Sequence, residues 1–346
     1  MGLFLAQSEM WDMPLTRQTN VRSHPLTSAD SNKRLRSNKP KTITHWFGNL
    51  CYVVFGALTK ILFRYRVEHR EKLRAFQDMG LVIVCCHTSF LDVAFIYLAA
   101  RTKQWVRLMG RDTLFTRAGG LLGQVLSRVG AFPVKRDSAD KTAIKRATKI
   151  LKRGEIVGIL PEGTRRGKSN KKPTLHAGAG FIAKMGRAPM MPMCVRNVEL
   201  VKQKGKFIRL PKVTIEYGDP IVLSDFDFVD KKNRLEAYTW YAMRECFALR
   251  FNISREDVDM ARLFPDTTDY KQMFVQHPIP VHDAVEYAAQ LRAKREGDIE
   301  SKKRAGNVGL AGDDAHAEVG TNTNRVMHSD RAGEPKVEIR AEQSCE

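Results

Sequence analysis

Two side chains in one short segment have the types and spacing of a general base and its orienting group. His87 and Asp92 stand five positions apart in His87-Thr88-Ser89-Phe90-Leu91-Asp92. A carboxylate that accepts from one imidazole nitrogen fixes the tautomer and stabilises the imidazolium, which leaves the other nitrogen to take a proton from a hydroxyl. Because five positions are little more than one helical turn, a histidine on a loop can fold back onto a carboxylate in the first turn of a helix.

A second segment about 70 residues later offers an anion clamp on a turn. It reads Leu160-Pro161-Glu162-Gly163-Thr164-Arg165. Pro161 ends an apolar run, Gly163 permits a tight turn, and Arg165 projects from that turn. An arginine in such a place grips phosphate through two N–H groups, which a lysine cannot do. Glu162 would orient an arginine or bond a substrate hydroxyl.

Each segment also has a simpler interpretation. His87 would cap a helix or bond to backbone, and Asp92 would complement the dipole at a helix start. The second segment would be a solvated turn with a glutamate–arginine pair. Spacing alone supports little, but the occurrence of both segments in one chain favours the catalytic interpretation. Backbone N–H groups near Thr88 or Gly163 are candidate oxyanion donors.

The elements that position these side chains follow from apolar runs. Residues 81–86 are uncharged and rich in β-branched side chains, which predicts a buried strand, and residues 155–160 predict a second one. Residues 93–100 predict a helix with Thr88 or Ser89 as its N-cap. Residues 141–154 have helical apolar spacing with basic residues around it, which predicts a crossover helix with a solvated basic face. Alternation of strands and helices through residues 80–220 predicts an α/β layered fold, and helices are expected over 232–253 and 281–303.

In this order, the two segments resemble the glycerolipid acyltransferase family that includes 1-acylglycerol-3-phosphate acyltransferases. The family has four blocks, and each has a candidate within residues 65–222. The blocks are His87 to Asp92; Gly130 to Asp137, in which Arg136 matches the family's arginine; Pro161 to Arg165; and Ala188 to Met193. Ile215 to Ile221 resembles the closing strand and its Gly-x-Pro turn.

The resemblance implies an α/β fold with a layered mixed sheet flanked by helices. It also implies transfer of a fatty acyl group from an acyl thioester to the free hydroxyl of lysophosphatidic acid, forming phosphatidic acid. The acyl donor would be acyl-coenzyme A or an acyl carrier protein, and no cofactor is expected. His87 and Asp92 would be catalytic. The phosphate-binding residues would be Arg136, Glu162, Gly163, Thr164 and Arg165.

Three departures from the family pattern matter. Met190, Met191 and Met193 replace branched aliphatic residues and would line an acyl groove or fill a core. His176 stands where relatives often carry a lysine. Gly110-Arg111-Asp112 replaces a stretch that usually bears a lysine. Arg111 and His176 are therefore the weaker candidates for phosphate binding.

The basic surplus of the chain lies in the segment that carries these motifs. The 346 residues have a net charge of +20, and residues 46–220 hold 33 basic and 12 acidic side chains. Such a field attracts anionic phospholipid head groups, coenzyme A phosphates, an acidic carrier protein or nucleic acid. Nucleic acid is not expected as a partner, because the sequence carries no helix-turn-helix, zinc-finger or aromatic RNA-binding signature.

Two alternative functions stay open at this stage. The same chemistry would act on another acceptor, such as glycerol 3-phosphate or a different lysophospholipid, or the chain would be a non-catalytic basic protein that binds lipid or nucleic acid. No serine or cysteine has a convincing nucleophile context, so a covalent acyl-enzyme is not expected. The six cysteines form no Cys-x2-Cys pair, which predicts free buried thiols in a reducing compartment and no metal site.

The expected organisation has five parts. Residues 1–43 are polar and predict disorder, and the N-terminus lacks a signal-peptide pattern. Residues 44–66 contain an uncharged run of about 14 residues, short of the ~20 that cross a bilayer. With aromatic residues Trp46, Tyr52 and Phe55 and a basic flank, they predict a helix in the interface of a membrane's cytoplasmic face, or alternatively a core helix. Three further parts follow along the chain: an acyltransferase domain (67–255), a helical extension (256–304) and a disordered tail (305–346).

Overall fold

A computed structural model of the chain describes residues 45–100, 105–116, 120–135, 140–163, 173–202 and 209–310. Of these described residues, those up to Ala293 form one compact unit, and those from Lys294 belong to a second. The elements below lie in the first unit, except that the last helix continues from it into the second.

Seven strands of the described residues form one sheet. In chain order they are β1 Arg66–Glu68, β2 Leu81–Cys85, β3 Val106–Arg111, β4 Phe132–Val134, β5 Ile156–Ile159, β6 Met190–Arg196 and β7 Thr214–Tyr217. Their order across the sheet is β1-β7-β6-β2-β5-β3-β4. Every neighbouring pair is parallel except β6 and β7, which are antiparallel. The predicted α/β fold with a mixed sheet is confirmed.

Helices connect the strands and follow the last of them. They are α1 His45–Phe63, α2 Arg70–Ala75, α3 Leu91–Ala99, α4 Asp112–Thr116, α5 Leu121–Arg128, α6 Lys141–Lys152, α7 Gly178–Gly186, α8 Arg234–Phe251, α9 Met260–Leu263, α10 Lys271–Gln276 and α11 Ala284–Leu310. Short 3₁₀ helices occupy Val198–Leu200, Leu223–Phe226 and Arg255–Asp257.

Helices cover the sheet on both faces. Leu81 and Ile83 of β2 pack with Phe63 of α1 and with side chains of α2 and α3, which we call the first layer. Val82 and Val84 point to the opposite face and pack with side chains of α6, α7 and α8, the second layer. Because both faces are covered, β2 is apolar along its whole length rather than alternating with polar residues.

The parallel strands β2, β5, β3 and β4 end at one edge of the sheet, which we call the carboxyl edge. His87 follows β2, Glu162 follows β5, Arg111 ends β3 and Lys135 follows β4. Open parallel sheets bind their ligands at this edge, because loops from neighbouring strands converge there. The candidate site residues that the structure describes therefore come from adjacent strand ends.

Most predicted elements are confirmed, with one correction at the start of α3. Strands β2 and β5 and helices α6 and α8 lie where the apolar patterns place them, and α11 continues to Leu310, past its predicted end. The N-cap position of α3 is Phe90, and its side chain makes no capping bond. The Ser89 hydroxyl, one residue earlier, accepts the N–H of Leu91, the first residue of the helix, at 3.3 Å, so Ser89 does supply a side-chain cap whereas Thr88 does not. The three methionines at 190, 191 and 193 are fully buried in β6, as the packing interpretation requires. Residues 305–310 of the predicted disordered tail (305–346) are instead the last residues of helix α11. The rest of that tail, 311–346, and the predicted disordered segment 1–43 lie outside the described residues.

Helix α1 packs on the first layer along one side only. The Tyr97 hydroxyl donates to the Gly48 carbonyl at 3.3 Å, and Gly48 lies against the Trp105 ring. The other side exposes large apolar residues at helical spacing. They are Trp46, Leu50, Val53, Val54, Leu58 and Ile61, and Phe55 is exposed as well. The core-helix alternative is therefore wrong, because only 17% of Trp46–Phe63 is buried.

By length and composition alone, the 18 residues Trp46–Phe63 are long and apolar enough to cross a membrane. This window includes Lys60 and is longer than the uncharged run of about 14 residues, so its length fits both a spanning helix and a helix in the membrane interface. Lys60 near the end of the helix does not interrupt the apolar surface, because a lysine carries its charge on a long aliphatic stem.

Candidate active site

The His87 ring and the Asp92 carboxylate are in contact at the carboxyl edge. Nδ1 of His87 lies 3.2 Å from Oδ2 of Asp92, and the Asp92 side chain is only 1% exposed. With Nδ1 donating to this carboxylate, Nε2 is the nitrogen that can accept a proton. This is the geometry that a general base with an orienting carboxylate requires.

The same Asp92 oxygen also fixes the backbone of the loop. It accepts the N–H groups of Thr88 and Ser89 at 2.7 Å each. Asp92 therefore binds these two amides from inside the first turn of α3 and fixes the loop against the helix. The other oxygen, Oδ1, is buried and has no hydrogen-bond partner in the part of the chain that the structure describes.

Glu162 joins the second segment to the first. Its Oε1 accepts the backbone N–H of His87 at 3.0 Å, and the residue is 2% exposed. Strands β2 and β5 are parallel neighbours with Val84 opposite Ile159, so the residues just beyond both strands lie side by side. The sequence predicted Glu162 as a ligand of an arginine or a substrate and missed this contact, which needs the strand pairing to be known.

The turn after β5 has the predicted shape. Gly163 has φ +66°, a left-handed conformation that glycine adopts without strain. Its N–H donates to the Leu160 carbonyl at 3.1 Å, and the His176 N–H donates to the Pro161 carbonyl at 3.4 Å. His176 thus lies beside the turn with an exposed side chain, and Arg111 is exposed at the end of β3. Arg136, Thr164 and Arg165 lie outside the described residues.

The suggested oxyanion donors are already engaged. The Thr88 N–H donates to Asp92 and the Gly163 N–H donates to Leu160. A backbone N–H that is bound within the protein is not free to stabilise a developing negative charge. The Thr88 and Gly163 amides themselves are therefore not available in this arrangement, and an oxyanion site formed by other backbone N–H groups near them stays a prediction.

Buried thiols lie in the strands and in the helix behind the site. Cys85, Cys86, Cys194 and Cys246 are free and buried, and the Cys246 thiol donates to the Val84 carbonyl at 3.2 Å. Burial raises the pKa of Cys194 and of Cys246, so both stay protonated at neutral pH. Because the thiolate is the reactive form, neither is set up as a nucleophile. Within the described residues, no group of three side chains is placed to hold a metal ion.

Comparison with known proteins identifies the family. Residues 64–196 match the family model described as Acyltransferase. The 1-acyl-sn-glycerol-3-phosphate acyltransferase of Bacillus subtilis is 34% identical over 174 residues, which cover 50% of this chain and 82% of that protein. The chain belongs to this acyltransferase family. It is an enzyme of phospholipid synthesis, and His87, Asp92 and Glu162 all lie within the matched residues.

Further relatives carry the same description. A 1-acyl-sn-glycerol-3-phosphate acyltransferase of Streptococcus pneumoniae is 29% identical over 150 residues, which cover 43% of this chain and 53% of that protein. A solved structure of the 1-acyl-sn-glycerophosphate acyltransferase PlsC from Thermotoga maritima aligns with 63% of this chain and 83% of that one, at 18% identity and a TM-score of 0.40.

Proposed function

We propose that this acyltransferase moves a fatty acyl group from an acyl thioester to the free hydroxyl of lysophosphatidic acid, forming phosphatidic acid. The relatives from B. subtilis and S. pneumoniae are named for 1-acyl-sn-glycerol-3-phosphate as their acceptor. The observation that carries the chemistry is the contact of 3.2 Å between His87 Nδ1 and Asp92 Oδ2.

In the proposed reaction, His87 Nε2 takes the proton of the acceptor hydroxyl as its oxygen attacks the thioester carbonyl. Asp92 stabilises the imidazolium that forms. When the tetrahedral intermediate collapses, the carbon–sulfur bond breaks and the thiolate leaves with the proton from His87. The acyl group passes directly between substrates, so no covalent acyl-enzyme forms, in keeping with the burial of the thiols behind the site.

The acceptor phosphate would be held by Arg136 and Arg165, with Gly163 and Thr164 shaping the turn. Arg111 and His176 are the weaker candidates, and both are exposed at or beside the carboxyl edge. Fixing two substrates against one base removes much of the entropy cost of their encounter, worth up to about 7–11 kcal/mol. Glu162 would contribute by fixing the loop that carries His87.

We further propose that the enzyme works as a peripheral protein at the cytoplasmic face of a membrane. The exposed apolar side of α1, which includes Trp46, Val53 and Ile61, would lie in the interface. Lys60, Arg64 and Arg66 follow along the chain, and basic residues are favourable beside anionic head groups.

An acceptor panel tests this function. The purified enzyme is assayed with labelled acyl-coenzyme A against lysophosphatidic acid, glycerol 3-phosphate and zwitterionic lysolipids, with His87→Ala as the matched control. We expect lysophosphatidic acid to give the highest kcat/KM. A higher kcat/KM for glycerol 3-phosphate or for a zwitterionic lysolipid would show that this compound, rather than lysophosphatidic acid, is the acceptor. Lipid binding without turnover in the wild type would favour a basic lipid-binding protein.

A further inference from the structure

The outer side of the second layer is a basic surface. Helix α6 exposes lysines at positions 141, 145, 149 and 152. The neighbouring α7 exposes Lys184 in its last turn, and its C-cap Arg187 is also exposed. Neither helix contains an acidic residue. None of the six side chains has a salt bridge in the part of the chain that the structure describes. We call these six residues the basic face.

The spacing of this face is unfavourable for the helix itself. Lys141, Lys145 and Lys149 stand four residues apart, so their charges are neighbours on one side of α6. Like charges at this spacing destabilise a helix. Packing does not require them, since α6 contacts the core through other residues, including Ala147 and Ile150. An acidic partner would offset this repulsion.

The basic face begins at the carboxyl edge of the sheet. Asp140, the N-cap of α6, accepts the backbone N–H of Lys135 at 3.0 Å, just beyond the carboxyl end of β4. Helix α6 then runs back under the sheet, until the Leu151 carbonyl lies against Gly80 at the start of β2. Lys141 is therefore at the edge that carries His87, and Lys152 is at the far edge.

The basic face lies on the side of the sheet opposite to the apolar helix α1. Phe63 of α1 packs in the first layer, whereas Ala147 of α6 and Ile182 of α7 pack in the second. If α1 lies in a membrane interface, the basic face is turned toward the aqueous side. A water-soluble partner can reach it there while the acceptor lipid stays on the α1 side.

We infer that the basic face docks an acidic protein that carries the fatty acyl chain as a thioester. This inference rests on the proposed function and names the class of acyl donor. Charge complementarity of this kind raises the rate of encounter and fixes orientation, and it weakens as salt screens it. A row of lysines along a whole helix matches an acidic protein surface better than the few phosphates of coenzyme A.

The test compares two acyl donors on one charge-reversal variant. Lys145→Glu/Lys149→Glu alters the middle of the face and leaves every proposed site residue intact. Arg262→Glu/Lys271→Glu is the matched control, because it makes the same change in net charge at exposed positions outside the face. Each protein is assayed on lysophosphatidic acid with palmitoyl-acyl carrier protein and with palmitoyl-coenzyme A, and thermal unfolding checks the fold.

We expect the Lys145/Lys149 variant to lose about tenfold in kcat/KM with the carrier protein at low salt, and the loss to shrink at high salt. Its kcat/KM with palmitoyl-coenzyme A should stay within about twofold of wild type, because that donor lacks a protein surface to dock. The control variant should keep both values.

Four outcomes would overturn the inference. Equal loss with both donors would make the face a coenzyme A site or a structural element, and no loss with either would make it a solvated surface. Loss of binding to phosphatidylglycerol vesicles with unchanged carrier kinetics would assign it to the membrane. If the wild type uses palmitoyl-coenzyme A but not palmitoyl-acyl carrier protein, only this inference fails. If the wild type is inactive on lysophosphatidic acid with both donors, the proposed function fails.

Discussion

The backbone N–H of His87 donates to Glu162 Oε1 at 3.0 Å, although the two residues are 75 positions apart in the chain. This bond joins the turn after β5 to the loop that carries the candidate base. It gives Glu162 a positioning role that differs from the substrate contact expected from sequence. A residue that acts on the base through its backbone should affect turnover more than acceptor binding.

The Glu162 contact predicts a difference between two substitutions. Glu162→Ala removes the acceptor of the His87 N–H, and a displaced base can lower kcat by about 10²-fold. Glu162→Gln keeps an oxygen at the same place and should restore most of that loss. Steady-state kinetics with varied lysophosphatidic acid would separate kcat from KM. If KM rises more than kcat falls in both variants, Glu162 contacts the acceptor instead, as expected from the sequence.

The base and its orienting carboxylate give the next prediction. His87→Ala and Asp92→Asn should each lower kcat by about 10²–10⁴-fold, as expected for the loss of a general base or of its partner. Asp92→Asn keeps an oxygen that can accept from the Thr88 and Ser89 amides, so the loop should remain folded. Thermal unfolding of both variants checks this point. Near-normal turnover in His87→Ala would refute the mechanism.

The sequence predicted the parts of this site whose determinants are local. The apolar run before His87 predicts β2, the turn residues predict the bend at Gly163, and the spacing to Asp92 predicts their contact. It did not give the bond from His87 to Glu162, because that depends on which strands are neighbours. It also did not give the bonds from the Thr88 and Ser89 amides to Asp92, because cap propensities describe how a side chain serves the helix start and not how a helix side chain holds the preceding loop.

Cysteine chemistry should be irrelevant to turnover. Burial raises the pKa of Cys194 and Cys246 above its usual range, and a protonated, buried thiol reacts slowly with alkylating reagents. Iodoacetamide at neutral pH should therefore leave the activity of the native enzyme within about twofold of the untreated value. The same treatment in urea, read by mass spectrometry, should modify both residues. Rapid inactivation that tracks modification of Cys86 would contradict direct transfer between substrates.

The phosphate clamp predicts that Arg165→Lys is not a conservative change. A lysine keeps the charge but lacks the planar fork that holds two phosphate oxygens. The KM for lysophosphatidic acid should rise about tenfold, more than the KM for the acyl donor, consistent with loss of one or two charge-assisted hydrogen bonds. Initial rates measured at varied concentrations of each substrate give both constants. An equal rise in the two KM values would show that Arg165 does not bind the acceptor phosphate specifically.

Membrane attachment through α1 predicts which substitutions release the enzyme. Trp46, Val53 and Ile61 are exposed on the side away from the fold, and Ile61 is 75% exposed. Changing all three to serine should shift the protein into the soluble fraction and lower activity on vesicles, because the apolar area that binds the interface is lost. Activity on a short-chain, water-soluble acceptor should fall less, since that substrate does not require the interface.

A control variant separates attachment from packing. Tyr97→Phe removes the hydroxyl that donates to the Gly48 carbonyl and leaves the exposed side of α1 unchanged, so it should stay with the membrane. Extraction then distinguishes the two modes of attachment for the wild type. High salt or carbonate should release a protein whose helix lies in the interface. A helix that needs detergent for release would instead be deeply inserted, which its length and composition permit.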